Sequence, residues 1–186
     1  MGQKDTYDEA LIVEQLHHQE TVNAAFGKVI EHYSQPLYWQ IRRMVIDHDD
    51  ANDVLQNTFI KAWSNIGSFR GDAKFSTWLY KIAVNESITF INKKKVQNNI
   101  SLDDDSWFLT SNLEADRYVD GEEAQLKLQK AIATLPDKQR LVFNMRYYDE
   151  MKYEDMSEIL GTSVGALKAS YHHAVKKIES FFGEED

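Results

Sequence analysis

The chain has 186 residues, of which 42% are hydrophobic and 27% charged, and its formal net charge is −9. These values are typical of a soluble globular protein, and the absence of cysteine excludes disulfides and thiolate zinc sites. No apolar run approaches the roughly 20 residues that span a bilayer, and the N-terminus lacks a secretory signal pattern, so we expect a cytoplasmic protein without membrane insertion. The excess of acid argues against nucleic acid as a partner, because DNA-binding proteins usually carry a basic surface.

The N-terminal half shows strong helical periodicity. One apolar stripe covers residues 22–33, Pro36 interrupts it, and a second stripe covers residues 37–45. Residues 47–50, Asp-His-Asp-Asp, are of the types that cap helix N-termini, so we expect a new helix to begin there. Its apolar stripe, over residues 51–63, is the cleanest in the chain. This part therefore predicts three helical segments.

A fourth helix and a linker follow. Residues 66–74 contain two glycines and indicate a loop. Ser76 or Thr77 can cap the next helix, which runs into three consecutive lysines at 93–95. Acids, serines and asparagines break the periodicity over residues 98–123, which predicts an acidic linker.

Helical patterning returns in the last third of the chain. Pro136 fits the first turn of a new helix. Residues 153–177 have the organisation of a helix-turn-helix, with a short amphipathic helix, a turn containing Gly161 and a second helix capped by Ser163. We predict an all-α protein in which two small helical domains are joined by the acidic linker, with bounds at 1–97, 98–123 and 124–186.

The second helix of this motif has an apolar face and a mildly basic face. Small residues and cations suit a helix in the major groove, where lysines meet phosphates or guanine edges and imidazoles contact bases or phosphates. An ordinary helical hairpin with a solvated face would show the same pattern. The candidate DNA contacts are Ser163, Lys168, Ala169, His172, His173 and Lys176.

Two N-terminal segments carry further candidate faces. The helix over residues 50–64 displays a carboxylate, amides and a lysine, which suits a partner helix, although solvated helices are also polar outside. The segment 69–95 interleaves aromatics with six basic against two acidic residues, a net charge of +4 that suits single-stranded nucleic acid. Trp78 serves equally well as a core anchor or a base contact. The candidates are Asp53, Gln56, Asn57, Ile60 and Lys61 on the helix, and Arg70, Lys74, Phe75, Trp78, Lys81 and Asn85 in the aromatic-basic segment.

Three ordered motifs resemble those of bacterial RNA polymerase sigma factors of the extracytoplasmic-function class. Residues 50–63, DANDVLQNTFIKAW, resemble the polymerase-binding helix of that family. Residues 75–85, FSTWLYKIAVN, resemble the helix that engages the melted minus-ten promoter element. LPDKQR at 135–140 and GTSVGALK at 161–168 resemble the domain that reads the minus-thirty-five element. The resemblance covers nearly the whole chain.

The resemblance implies a dissociable, non-enzymatic sigma subunit without a cofactor, which directs RNA polymerase core to promoters and helps to melt them. Asp53 and Gln56 would contact the clamp helices of the largest polymerase subunit, and the flap region would be a further contact. The loop 66–77 would capture a flipped base of the non-template strand, which Lys81 and Asn85 would hold. The C-terminal helix would read double-stranded upstream DNA. The family is usually controlled by an anti-sigma factor, which is therefore an expected partner.

Several positions depart from the family pattern. The family usually has acids where Asn52 and Asn57 stand, so contact with the clamp depends less on charge here. It usually has arginine where Val84, Ser170 and His173 stand, so promoter preference does not transfer from other members.

The acidic residues are concentrated in two segments. The linker has eight acids against one arginine, a charge of −7, and residues 184–186 add −3, so the rest of the chain sums to +1. An acidic connector would mimic nucleic acid inside a basic polymerase channel, and a plain solvated linker explains the composition equally well. The net charge of −9 therefore does not exclude a nucleic-acid partner.

Metal and enzyme hypotheses have little support. Residues 47–50 and the pair His172 and His173 are the best metal candidates, but adjacent helical residues point apart. No HExxH, glycine-rich phosphate loop or G-x-S-x-G motif is present. Two rival classes are a helix-turn-helix regulator with a sensing or dimerising N-terminal domain, and a helical adaptor. The helix 50–63 with its aromatic-basic loop argues against the regulator, and the lysines argue against the adaptor.

Overall fold

The computed structural model describes residues 7–104 and 123–183, so most of the acidic linker lies outside the described residues. Within this part of the chain every regular element is helical, which confirms the all-α prediction. No helix in the described ranges is both long and apolar enough to cross a membrane. The helices are α1 Glu9–Leu16, α2 Val22–Val45, α3 His48–Asn65, α4 Phe75–Gln97, α5 Glu123–Ala133, α6 Asp137–Tyr147, α7 Tyr153–Leu160 and α8 Val164–Gly183, with a 3-10 turn at Ile66–Ser68.

Helix α2 is the centre of the N-terminal unit, by which we mean α1–α4. It packs against α1, α3 and α4 and continues through Pro36, so the predicted interruption is wrong. Proline removes one backbone hydrogen bond, but here Tyr33, Leu37 and Ile41 form one buried stripe on both sides of it. Pro36 itself faces solvent, and tertiary packing of the stripe keeps the helix continuous.

The start of α3 is confirmed where capping residues cluster. Asp47 Oδ1 accepts hydrogen bonds from the backbone amides of Asp49 and Asp50, at 2.9 and 3.0 Å. These two bonds hold the pKa of Asp47 below its usual value. Helix α4 begins at Phe75, earlier than the predicted caps, and its N-cap residue Lys74 makes no side-chain capping bond.

Helix α1 has no counterpart among the predicted elements. Asp8 caps it by accepting a hydrogen bond from the Leu11 amide at 3.2 Å, and Ile12 and Leu16 are its buried residues. Glu9 accepts a hydrogen bond from the Tyr33 hydroxyl at 2.7 Å, which ties α1 to α2. Eight residues with two buried side chains are too short a pattern for periodicity to show.

The C-terminal unit, α5–α8, contains the predicted helix-turn-helix. Helix α7 ends at Gly161, whose φ of 63° lies in the left-handed region that favours glycine. Ser163 Oγ then accepts a hydrogen bond from the Ala166 amide at 3.2 Å, which confirms its capping of α8. A hydrophobic cluster behind the motif joins α5, α6 and α8 through Ala131, Ile132, Leu135, Phe143, Ala174 and Ile178.

The two units share their main hydrophobic core. Helix α4 packs along α7, and α2 contacts α6. Met145 of α6, Met156 of α7 and Leu167 of α8 are at most 1% exposed and belong to the same cluster of buried side chains as the stripes of α2–α4. The sequence patterns left the relative placement of the units open, and the structure shows them in contact.

Candidate nucleic-acid interface

Helix α3 presents an exposed face beside the core. Its buried stripe includes Val54 and Ala62 and turns the five predicted partner contacts outward. Trp63 was predicted to lie in the buried stripe, but it is 41% exposed, with its ring centroid 5.0 Å from that of Phe26. The exposed set comprises Asp53, Gln56, Asn57, Ile60 and Lys61.

This face combines polar and apolar groups. Ile60 is 55% exposed, one turn before Trp63, so the two form an apolar edge to the amides and the carboxylate. Lys61 forms an ion pair with Glu86 of α4, which links the face to the neighbouring helix. The exposure of Trp63 was not predicted from the sequence. Its position at the edge of the apolar stripe is the signal that could have indicated it.

An aromatic cluster lies where the loop after α3 meets α4. The Phe69 and Phe75 rings meet edge-on at 5.4 Å, and the Trp78 ring lies 5.3 and 5.4 Å from them. Phe69 is 6% and Phe75 1% exposed, whereas Trp78 is half-buried. Phe75 was predicted as a DNA contact, but its ring packs in the core and does not face solvent. Trp78 packs against these two rings and stays partly exposed, so its core contact is confirmed and its base contact stays a prediction.

Cations and amides continue from this cluster along α4. Lys74, Trp78, Lys81 and Asn85 are spaced at i, i+4, i+7 and i+11, so they share one side of the helix. Lys74, Lys81 and Asn85 are exposed, and Arg70 is exposed in the loop. The arrangement is a rigid row of an aromatic edge and hydrogen-bond donors, which is the chemistry that single-stranded nucleic acid requires.

The three lysines at the end of α4, residues 93–95, do not form one exposed surface. Lys93 is exposed, but Lys95 is 1% exposed. The Lys95 ammonium donates to the Leu102 carbonyl at 3.3 Å and to Asp137 Oδ2 of α6 at 3.0 Å. The run was counted among the cations of segment 69–95 that suit nucleic acid, but Lys95 is not available for a phosphate, because its ammonium is buried against Asp137 of the C-terminal unit.

Helix α8 presents its predicted reading face to solvent. Leu167, Ala174 and Ile178 are buried, which confirms the apolar face. Tyr153 of α7 underlies the start of the exposed face: Lys168 Nζ lies 5.7 Å and the Arg146 guanidinium 5.1 Å from its ring centroid. The exposed residues are Ser163, Lys168, Ala169, His172, His173 and Lys176.

Among the metal candidates, Asp47 and His48 have other partners. Asp47 caps α3, and His48 Nδ1 lies 2.7 Å from the Tyr38 hydroxyl. Across residues 7–104 and 123–183, no three His, Asp or Glu side chains are grouped so that they could hold a metal ion.

Two protein-family models match the chain in order. Sigma-70 region 2 matches residues 29–96, which include α3 and α4, and Sigma-70 region 4 matches residues 125–178, which include the helix-turn-helix. The ECF RNA polymerase sigma factor SigW of Bacillus subtilis is 34% identical over 156 residues, covering 80% of this chain and 83% of that protein. The RNA polymerase sigma-H factor of Pseudomonas aeruginosa is 28% identical over 163 residues, covering 83% of this chain and 84% of the relative.

Solved structures share the fold. The complex of CnrH with the cytosolic domain of CnrY matches with a TM-score of 0.70 at 20% identity, covering 96% of this chain and 99% of that one. The sigma factor RpoE of Bartonella quintana, solved with the anti-sigma factor NepR, matches with a TM-score of 0.65 at 20% identity, covering 85% and 96%.

Proposed function

Because this chain belongs to the extracytoplasmic-function sigma factors of RNA polymerase, we propose that the exposed faces of α3, α4 and α8 bind polymerase core and promoter DNA. The observation that carries this proposal is the order of the two matched regions, since each one contains a predicted binding face. The protein would direct core enzyme to a two-part promoter and help to melt it. Its parts would be a clamp and minus-ten domain, an acidic linker and a minus-thirty-five domain, over residues 1–97, 98–123 and 124–186.

Run-off transcription with purified core enzyme on fragments of the source genome tests this function directly. We expect initiation at a discrete set of promoters only when the protein is present. Selection of promoter sequences by the reconstituted holoenzyme would then define both elements. If the protein does not bind core at all, the proposal is wrong.

The polymerase contact is proposed for the α3 face. Asp53, Gln56 and Asn57 offer hydrogen bonds from one rigid helix, while Ile60 and Lys61 add apolar contact and charge. This mixture of an apolar patch and a polar rim suits packing against the clamp helices of the largest subunit. The C-terminal unit would make the second contact, at the flap region.

We predict that replacing both Asp53 and Gln56 by alanine weakens binding to core at least tenfold. Both side chains are exposed, so the fold should be unaffected, and binding of the full chain to double-stranded upstream DNA should not change. Fluorescence-detected titration with core measures the loss, and Glu31→Ala, exposed on α2, is the matched control. Unaltered affinity for core would remove α3 from the clamp interface.

The single-stranded minus-ten contact is proposed for the row along α4 and the preceding loop. Arg70, Lys74 and Lys81 would neutralise phosphates, Asn85 would donate to the strand, and the exposed edge of Trp78 would stack on a base. Phe75 supports this row from within, because its buried ring fixes Trp78 at 5.4 Å.

The upstream contact is proposed for α8 in the major groove. Lys168→Ala should weaken binding to a promoter duplex, and the salt dependence distinguishes two modes. Loss of a phosphate contact lowers the slope of log K against log salt by about 1, whereas loss of a base contact costs about 1–3 kcal/mol at one position. Lys177→Ala is the control, since Lys177 is exposed half a turn around the helix from Lys168. Equal affinities of both variants would exclude Lys168 from the reading face.

The setting of this function is proposed from the same family. The structural neighbour RpoE was solved with an anti-sigma factor, and we propose that such a factor also controls this chain. We further propose a cytoplasmic, non-enzymatic role without cofactor or membrane insertion, since transcription initiation by a sigma subunit requires none of these. Core binding that an added anti-sigma factor competes away would support the regulatory part.

A further inference from the structure

The aromatic cluster at the start of α4 continues to the end of α1. The ring of His17, the C-cap residue of α1, lies parallel to the Phe69 ring, with 6.5 Å between centroids and 8° between planes. Phe69 in turn lies 5.3 Å from Trp78. Three rings therefore follow one another from α1 to the row proposed for the single strand. We call His17, Phe69 and Trp78 the aromatic strip.

The exposure of the rings varies along the aromatic strip. Phe69, in the middle, is only 6% exposed, whereas His17 is exposed and Trp78 is half-buried. The inner ring thus supports two outer rings, and both of these offer surface to solvent. Nucleic-acid bases stack on imidazole rings as they do on the larger aromatic side chains, because stacking requires only a flat face.

The turn that follows α1 holds His17 in place. The His17 amide donates a hydrogen bond to the Glu14 carbonyl at 3.1 Å. On the other side of the turn, the Thr21 hydroxyl donates to the Gln15 carbonyl at 2.7 Å. Because the backbone is already ordered here, a ligand that meets the imidazole would immobilise little additional chain, which favours binding.

Helix α1 is anchored to α2 but has no role in the proposed contacts. Glu9 binds the Tyr33 hydroxyl at its start, and Leu16 is buried at its end. The matched Sigma-70 region 2 covers residues 29–96, so α1 lies outside it. The helix therefore presents His17 at a fixed position beside the loop before α4, for a purpose that the family match does not assign.

The charges near His17 favour stacking over ionic attraction as its contribution. The acids Glu14 and Glu20 are exposed on either side of it in the chain, so the end of α1 does not attract phosphates strongly. The cations lie farther along, since Arg70 and Lys74 are exposed in the loop before α4. A strand would thus bind its phosphates there and would need only the ring of His17.

The spacing of the rings fits a continuous strand. Trp78 and Asn85 lie about 10 Å apart along α4, at about 1.5 Å per residue, which is about three nucleotides of a stacked strand at 3.4 Å each. The steps from Trp78 to Phe69 and from Phe69 to His17 are 5.3 and 6.5 Å. About four further nucleotides therefore suffice to reach His17 from Trp78.

We propose that His17 is a further contact of the single DNA strand, at which a base beyond the α4 row stacks on the exposed imidazole while Phe69 supports the ring from behind. The inference rests on the proposed single-strand contact of α4. It gives α1 the role of lengthening the surface that holds the strand.

Strand length separates a base contact from a merely structural role of His17. Fluorescence anisotropy on the full chain, at low salt and pH 8, compares labelled oligothymidylates of about 4 and about 10 nucleotides, since only the longer one spans the row and the aromatic strip. His17→Ala should weaken binding of the longer strand about tenfold and leave the shorter one unchanged. If His17 only covered Phe69, its loss would loosen Trp78 and weaken both strands alike.

Two further substitutions at this position test the chemistry. His17→Phe keeps a flat aromatic face and should retain the affinity for the longer strand, whereas His17→Gln keeps a polar group without that face and should behave like His17→Ala. His32→Ala is the matched control, because His32 is also an exposed imidazole stacked on an aromatic ring, Tyr7 at 3.8 Å, but near the opposite end of α1. It should change neither affinity.

The salt dependence gives an independent readout. At pH 8, above the range in which imidazole usually titrates, a stacking contact releases no counterions. His17→Ala should therefore leave the slope of log K against log salt unchanged for the longer strand. Lys81→Ala, which removes a proposed phosphate contact, should reduce that slope by about 0.7.

The outcomes distinguish the new contact from the underlying function. Unchanged binding of the longer strand by His17→Ala, equal weakening of both strands, or loss of binding in His17→Phe overturns the proposal. The single-strand contact of α4 stands in each of these cases if Trp78→Ala and Lys81→Ala weaken binding of both strands. If the unsubstituted chain binds neither strand, the contact of α4 fails, and the role of His17 fails with it.

Discussion

At the residue scale, Asp149 shows how burial and pairing oppose each other. Its side chain is 8% exposed; one oxygen pairs with Arg43, while the other is buried without a partner. Burial raises the pKa of Asp149 to about 6, although the Arg43 guanidinium opposes this shift. Tyr80 of α4 faces the same carboxylate, and burial together with that charge raises the Tyr80 pKa to about 12. The pair is therefore a weak source of stability at neutral pH.

This shift predicts a pH dependence of known sign. A pKa that is higher in the folded state than its usual 3.8 favours folding in acid, and the benefit disappears as the pH rises through about 6. Between pH 5 and 7 the unsubstituted chain should lose about 1 kcal/mol of unfolding free energy relative to Asp149→Asn. Denaturant unfolding of both proteins across this range measures the difference in unfolding free energy. Because both proteins contain the same histidines, any contribution of the histidines cancels in this comparison. Parallel pH profiles of the two unfolding free energies would contradict the pKa assigned to Asp149. Glu150→Gln is the control, because Glu150 is exposed beside Asp149.

At the element scale, α2 is a continuous helix although it contains a destabilising proline in its interior. Pro36 lacks the amide that would bond the His32 carbonyl, and it faces solvent where its ring gains no packing. The buried face of α2, including Val29, Leu37 and Ile41, each 0% exposed, offsets this loss.

Replacing this proline should therefore stabilise the protein. We predict that Pro36→Ala raises the free energy of unfolding by about 1–2 kcal/mol, since it restores a helical hydrogen bond and part of this gain is offset by the more flexible unfolded chain. Chemical denaturation measures the change, and Gln35→Ala, at the exposed neighbouring position, should have little effect. A destabilised Pro36→Ala variant would show that the proline shapes α2 in a way that packing requires.

At the scale of the whole molecule, the shared core predicts that the units unfold together. Trp39, Trp63 and Trp78 lie in the N-terminal unit, and residues 124–186 contain no tryptophan. The fourth tryptophan, Trp107, belongs to the linker and lies outside the described residues, so the measurement uses Trp107→Phe as its background. In this background fluorescence reports the N-terminal unit, whereas helical circular dichroism reports both units. We predict coincident denaturation curves from fluorescence and circular dichroism, because Met145, Met156 and Leu167 bury their side chains in the common cluster. In Asp137→Ala the two curves should separate. Two transitions in the unsubstituted chain would show that the units are energetically independent.

The sequence predicted those parts of the fold that local patterns determine. The caps Asp47 and Ser163 and the turn at Gly161 mark their helices by short-range hydrogen bonds and backbone conformation, so these predictions are confirmed. The exposure of the α3 and α8 faces followed from the same periodicity. Their binding roles remain predictions.

Features that depend on distant contacts could not be predicted in this way. Lys95 belongs to a run of three lysines, and only the approach of Asp137 makes one of them buried. The sequence around Phe75 and Trp78 does not distinguish a buried ring from an exposed one. Their packing with Phe69 determines which ring reaches solvent. Pro36 is a local helix breaker that long-range packing overrides.

The contact between the two units has a consequence for measured binding constants. Since the units are tethered in one chain, their contact forms at an effective concentration set by the linker and does not depend on how dilute the protein is. A ligand that requires separated units binds with an apparent dissociation constant equal to the intrinsic one divided by the open fraction. A chain that is open 1% of the time would therefore show about a hundredfold weaker affinity than its binding surfaces possess. A partner that binds both units in separated positions would raise the open fraction and recover that factor for the DNA, whereas a partner that contacts only the exposed face of α3 would leave the open fraction unchanged.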